Sequence, residues 1–249
     1  MRAQELELEA LLLELVPSRA SQWQGATPAE VEQLEQLAGR PLPALYRWFL
    51  SRMGGDSSSL KGYPTFGFSA KQILSCYASD EVTPDPRFFL IGWDSDDYLP
   101  QHLFYDFDHP TKDDARVVLQ PSIHGPQNNL YESLRMLLAT TEFVLSRVLS
   151  LPQQCSGRFK IEDVHDLTPL DQVMTRIGFQ KPVAADSHAA LYDRADAAMS
   201  LKCSPGKSSN TNLFFKCGGT DAGVLRQVLG TLATELKVEV EIDKWQPPL

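Results

Sequence analysis

Long apolar runs are missing from this sequence. No stretch approaches the roughly 18–20 residues that a membrane-spanning helix needs. The richest leucine run near the start, Leu11-Leu12-Leu13, is bracketed by Glu9 and Glu14, so no membrane association is expected. Arg2 is followed by Glu5, Glu7 and Glu9 rather than by an apolar stretch and a small-residue cleavage site. No export leader is expected from that pattern, and a cytoplasmic location follows. Cysteine is scarce too: Cys76, Cys155, Cys203 and Cys217 are the four. None forms a CxxC pair or stands at ligand spacing from a histidine, so no metal site is expected. Four reduced thiols suit a cytoplasmic protein. Cys203 and Cys217 are the pair that predicted neighbouring strands place within reach of a disulfide.

Catalytic motifs are also lacking. His102, His109, His124, His165 and His188 are scattered, with no HExxH spacing, and there is no GxSxG nucleophile elbow around Ser122 and His124 or elsewhere. Asp163, His165 and Asp166 imitate a catalytic cluster but follow a predicted linker and read as a helix cap. Gly206-Lys207-Ser208 looks like the end of a phosphate-binding loop. Its upstream glycine is absent, because Ala198 to Pro205 contains none, and a hairpin loop is expected instead. We therefore expect a non-enzymatic protein without cofactor or metal.

Positive charge is in deficit. The 249 residues carry 23 Lys+Arg against 32 Asp+Glu, a net charge of −9. Residues 1–150 hold 12 basic and 20 acidic side chains, and residues 151–249 hold 11 and 12. Such a surface repels phosphate backbones, so nucleic acid is not an expected partner. A basic protein suits it, although acidity serves solubility equally well.

What is present reads as a folded chain: 43% hydrophobic and 22% charged residues in a length that fits one large or two small domains. Leucines among glutamates predict a helix over residues 4–16, ended by Pro17. Thr27-Pro28-Ala29-Glu30 is a capping box with proline at the first helical position. Val31, Leu34 and Leu37 continue that helix to a stop at Gly39. A further helix spans Ala44 to Met53. Phe66 and Phe68 mark a short extended piece, and Phe88–Trp93, His102–Phe107 and Arg116–Leu119 read as strands. Ser57-Ser58-Ser59 reads as loop, and a helix from Leu130 to Leu149 closes this part. Pro152 to Gly157 reads as a linker. Beyond it come a helix at Pro169–Ile177, strands at Ala189–Asp193, Ala197–Cys203 and Asn212–Cys217, a helix at Asp221–Leu236 and an alternating edge strand at Val238–Ile242. The expected class is α+β: residues 1–152 with helices packed on an antiparallel sheet, a linker at 153–157, and a smaller α+β domain at 158–249.

The stretch Gly25 to Gly55 carries a recognisable pattern. A capped acidic-apolar helix leads to Gly39, the Leu42-Pro43 pair, Tyr46, Phe49, Leu50 and the terminal Gly54-Gly55. Ile91-Gly92 then ends an apolar strand before Asp94 and Asp96, and Phe104 and Tyr105 follow on the next. Over residues 20–150 this resembles the SUKH family, named partly for the fungal Smi and Knr regulators. In place of the Gly-Asp pair common after Ile-Gly in that family, this chain has Trp93-Asp94-Ser95-Asp96-Asp97. The resemblance implies a non-catalytic fold whose bacterial members are typically immunity proteins that bind and block a cognate polymorphic toxin, often a nuclease. Other members act as regulatory scaffolds.

Nuclease toxins have basic clefts, so the acidic group Asp94, Asp96, Asp97, Asp106 and Asp108 is the expected contact surface. Solvated turn chemistry alone accounts for the same residues. Trp93, Tyr98 and Tyr105 stand beside the acidic turns as aromatic anchors, with core or rim positions as the plainer reading. Asp94 to Asp97 offers calcium-like oxygens, but without the invariant glycine and distal glutamate of an EF-hand loop. The Val238–Ile242 strand, at a sheet edge, would let two copies pair as a homodimer.

Overall fold

A computed structural model describes residues 2–55, 62–121, 127–161, 167–203 and 212–247. The Ser57-Ser58-Ser59 loop, Ser122 and His124, the group Asp163, His165 and Asp166, and Gly206-Lys207-Ser208 lie outside the described residues. The class is α+β, with seven α-helices and two five-stranded antiparallel sheets among the described residues. The chain divides into two compact units, Met1–Leu137 and Leu138–Leu249.

The first unit opens with α1 (Ala3–Leu15), which buries Leu8, Leu11 and Leu12. The capping box forms as the sequence requires. In α2 (Pro28–Ala38) the Glu30 amide donates to Thr27 Oγ1 at 3.2 Å, and the Thr27 amide donates to Glu30 Oε2 at 2.8 Å. Gly39 then adopts φ 62°, the left-handed stop that glycine takes without strain. Next, α3 (Ala44–Met53) buries Tyr46, Phe49 and Leu50. Tyr46 stacks on Phe49 and meets Tyr105 edge-on at 5.4 Å. Full burial of each such side chain is worth about 1.5–3 kcal/mol. The pattern from Leu42 to Leu50 thus encodes core packing.

The sheet is a meander of β1 (Phe66–Gly67), β2 (Phe88–Asp94), β3 (Gln101–Pro110), β4 (Ala115–Pro121) and β5 (Asn128–Tyr131), in that order. Gly92 has a steric reason to be glycine. A Cβ there would lie 2.8 Å from the Phe68 ring and 3.2 Å from Leu103. The register shifts between Leu90 and Gly92 on the β3 partner, so the Ile-Gly pair sits at a bulge.

Two elements of this unit depart from the sequence reading. The helix α4 (Ala70–Ala78) has no counterpart in it. Ser69 caps it by accepting from the Gln72 amide, and Ala70, Ile73, Cys76 and Tyr77 are buried on one face. The helix expected from Leu130 begins instead at Leu134, as α5 (Leu134–Phe143). Asn128 to Tyr131 pairs with β4, and two oxygens fix the helix start: Ser133 Oγ accepts from the Met136 amide and Asp114 Oδ2 from the Arg135 amide. One π-helical turn, Val144–Val148, follows α5.

In the second unit, β6 (Gln153–Lys160) occupies the expected linker. It lies between β10 (Glu239–Gln246) and β9 (Asn212–Gly219), with β8 (Ala197–Lys202) and β7 (Ala189–Arg194) beyond. The period-two alternation of Cys155, Gly157 and Phe159 against Gln154, Ser156 and Arg158 explains why this segment is a strand. The segment expected as a linker at 153–157 is therefore part of a strand. Two helices, α6 (Thr168–Arg176) and α7 (Ala222–Leu236), supply Leu170, Met174, Leu225, Leu229 and Leu232 to the core over this sheet. Asp221 caps α7 by accepting from the Val224 amide at 3.0 Å. A row of directly opposed residues crosses all five strands: Trp245, Cys155, Cys217, Met199 and Tyr192. At the edge, β10 is outermost, as its alternation suggested, and its register shifts between Ile242 and Lys244.

Candidate functional site

The six residues expected at the contact surface separate into two groups. Asp94, Asp96, Asp97 and Tyr98 belong to the turn between β2 and β3, whereas Asp106 and Asp108 sit toward the far end of β3. At about 3.4 Å per residue, Gln101 and Asp108 are about 24 Å apart along that strand.

Asp106 is not a surface residue; it is fully buried. Arg87 donates to it from Nε at 2.8 Å and from Nη2 at 2.9 Å, and His109 Nδ1 lies 2.8 Å from Oδ2. Burial alone would raise this carboxyl, but the Arg87 and His109 hydrogen bonds together outweigh it and hold it down at about 2. Its charge is consumed inside the fold, which corrects its assignment to a partner contact. Asp108 is exposed, with a carboxylate oxygen 3.4 Å from Arg87 Nε. Tyr105 is also removed from the surface. It is fully buried, and its hydroxyl donates to Asp114 Oδ1 at 2.7 Å.

The β2–β3 turn is where exposure and order coincide. Asp94 is buried and serves the turn itself, accepting from the Asp96 amide at 3.2 Å and from the Gln101 amide at 3.0 Å. Its own amide donates to His102 Nδ1 at 3.1 Å. Trp93 stacks on that imidazole with ring centroids 3.9 Å apart. Burial lowers the His102 pKa, favouring the neutral ring that can accept at Nδ1. Ser95 is tied to β1's approach, its amide and hydroxyl both donating to the Thr65 carbonyl at 2.9 and 2.8 Å. Asp96 accepts from the amides of Leu99 and Tyr98 at 3.0 and 2.8 Å, and these bonds hold its carboxyl below the usual range.

On this base stands an unprotected tip. Tyr98 is 89% exposed and Leu99 78%, with the ionised Asp96 and the exposed Asp97 directly before them. Sequence reasoning found Tyr98 and missed Leu99. The available signal was a pair of large side chains following acidic turn residues and preceding Pro100. A rigid aromatic with acidic neighbours provides apolar contact area and steering in one short segment. Both Asp94 oxygens and Asp96 Oδ1 accept from backbone amides of the turn. Among the described residues no group of three His, Cys, Asp or Glu is placed to hold a metal ion, and no helix is long and apolar enough to cross a membrane.

No protein-family model matches the chain, and no curated protein matches it. The likeness to SUKH domains therefore rests on the residues quoted above, most of which the fold uses as core and turn positions.

Proposed function

We propose that this protein is a cytoplasmic, non-enzymatic immunity protein of SUKH type, which binds and neutralises a cognate bacterial toxin with a basic surface. One observation carries the reading: the β2–β3 turn presents Tyr98 and Leu99 to solvent on an acidic base in which Asp94 and Asp96 accept from the turn's own amides. Large exposed apolar side chains cost solvation when free, and here the backbone that carries them is fixed by the Asp96 hydrogen bonds before docking. Asp96 and Asp97 select a partner rich in lysine and arginine and speed its approach. Within this proposal the contact set is Asp96, Asp97, Tyr98 and Leu99. Asp94 acts behind them as a positioning residue, and no cofactor takes part.

The test uses the full chain and, as candidate toxin, any basic domain encoded beside its gene. A tight one-to-one complex, protection of cells making that toxin, and loss of both in Tyr98→Ala/Leu99→Ala support the proposal. Absence of binding to that toxin would sink it. Weak binding to several cellular proteins with protection against none would favour the regulatory scaffold instead.

A further inference from the structure

The row that crosses the second sheet contains three sulfur-bearing side chains flanked by two aromatics. At its centre, Cys155 on β6 lies directly opposite Cys217 on β9. Both thiols are free and both residues are buried. Directly opposed residues in an antiparallel ladder have Cα atoms about 4.5–5.5 Å apart. That interval falls inside the roughly 4.4–6.8 Å that a disulfide spans. The β6–β9 ladder continues in register from Gln153↔Gly219 to Lys160↔Asn212, so the two strands hold the pair in place from both sides. The sequence expectation had paired Cys217 with Cys203, but Cys217 stands opposite Met199 on β8.

We propose that Cys155 and Cys217 form an oxidation-responsive dithiol that closes to a disulfide in the folded protein on exposure to a hydroperoxide. The two thiols are already unequal. The neighbouring Cys217 side chain lowers the pKa of Cys155, whereas the Cys155 side chain and burial raise that of Cys217. The Cys217 thiol also donates to the Cys155 carbonyl at 3.4 Å. In this scheme Cys155 is the nucleophile and Cys217, whose thiol proton is held on the Cys155 carbonyl, is the resolving group.

The chemistry balances with hydrogen peroxide as oxidant. The Cys155 thiolate attacks one peroxide oxygen, the O–O bond breaks, and hydroxide departs to be protonated to water. The sulfenic acid left on Cys155 is then attacked by the Cys217 sulfur. The S–S bond forms, the S–O bond breaks, and the hydroxyl leaves as water with the Cys217 proton. Two thiols lose two electrons, and one peroxide becomes two waters.

Access comes from the outer edge of the sheet. Outermost β10 carries its register break between Ile242 and Lys244, next to Trp245, which faces Cys155. Edge strands open locally at low free-energy cost. A cavity of about 190 Å³ also counts both cysteines in its lining, together with Ser156, Lys216 and Lys244. Cys76 is the internal comparison, because burial pushes its thiol up to about 11 and nothing places a second cysteine beside it.

The test is peroxide treatment of the native full-length protein, followed by alkylation, proteolysis and mass spectrometry. The expected product has lost the mass of two hydrogens, contains a Cys155–Cys217 linked peptide, and keeps alkylatable Cys76 and Cys203. Tryptophan fluorescence should fall as the disulfide forms beside Trp245, and a dithiol reductant should restore it. Cys217→Ala should abolish the fluorescence change and leave Cys155 as a sulfenic acid trapped by dimedone. Four alkylatable thiols after treatment, a disulfide to any other cysteine, or sulfinic acid as the first product would overturn the proposal. The wild-type result decides the matter even if the variant fails to fold.

Discussion

Asp114 offers the sharpest quantitative test of how the first unit is held together. Its side chain is buried, with Oδ1 accepting from the Tyr105 hydroxyl at 2.7 Å and the Ala115 amide at 2.9 Å, and Oδ2 accepting from the Arg135 amide at 3.0 Å. It therefore links β3, the start of β4 and the first turn of α5. Burial dominates these hydrogen bonds and raises the carboxyl from 3.8 to about 6. The folded protein binds this proton more tightly than the unfolded chain, so the contribution of Asp114 to stability falls as pH rises from about 4 to above 6. Two pKa units correspond to about 3 kcal/mol. Between about pH 4.5 and pH 7.5, about 2 kcal/mol of that develops, because the unfolded carboxyl is already mostly ionised at the lower limit. Asp114→Asn keeps one oxygen acceptor and removes the titration. Urea unfolding of both proteins across this pH range, followed by tryptophan fluorescence, isolates the effect. Groups common to both proteins cancel in the difference at each pH. The variant should gain about 2 kcal/mol relative to wild type as pH rises. A difference flat to within about 0.5 kcal/mol would refute the assigned environment of this carboxyl.

Asp106→Asn removes the buried charge that Arg87 and His109 bond, leaving Arg87 to Asp108 and solvent, and should cost about 1–3 kcal/mol near neutral pH. Because the native carboxyl is held down at about 2, its contribution is present above 3.8 and fades as pH falls toward 2, so wild type and variant should converge in acid. A Cβ at Gly157 would stand 2.0 Å from the Glu241 carbonyl oxygen. Gly157→Ala should push β10 outward at a cost of about 1–3 kcal/mol, visible as faster amide exchange over 239–246, while unchanged exchange would contradict the register. Tyr98→Ala/Leu99→Ala removes no packed side chain and should shift stability by less than about 0.5 kcal/mol, so any large loss in thermal unfolding would mean that the tip is not free.

Much of the fold is legible in local chemistry. Thr27, Glu30 and Gly39 spell out both ends of α2 without help from distant residues, and Ala44–Met53 reads directly because prolines stand before it and glycines after. Where signals weaken, tertiary context decides. The nine residues of α4 follow a Ser69-x-x-Gln72 capping signature that a short segment between loops makes easy to overlook, and the helix depends on burying Ile73 and Tyr77. Asn128–Tyr131 becomes strand because β4 offers a free edge, a fact absent from its own composition. Cys155–Phe159 hides its alternation among glutamine, serine and glycine, which read as linker. For the candidate site, the acidic turn was visible and its internal economy was not. Asp94, Asp96 and Asp97 look equivalent in sequence, but only pairing with Gln101 reveals that Asp94 faces inward. Likewise Asp106 shows its buried role only once Arg87, 19 residues earlier, lies alongside it.

The register break on β10 has a bearing on self-association. An outer strand with a continuous ladder of unpaired amides and carbonyls is a template for another copy, and from there for cross-β stacking. Here that ladder is interrupted between Ile242 and Lys244, and Glu239, Glu241, Asp243 and Lys244 place four charges along eight residues. A second β10 would have to match a kink with a kink while accommodating that charge. The outer edge of this sheet is built as a terminus, and it guards the folded chain against fibril growth from that side.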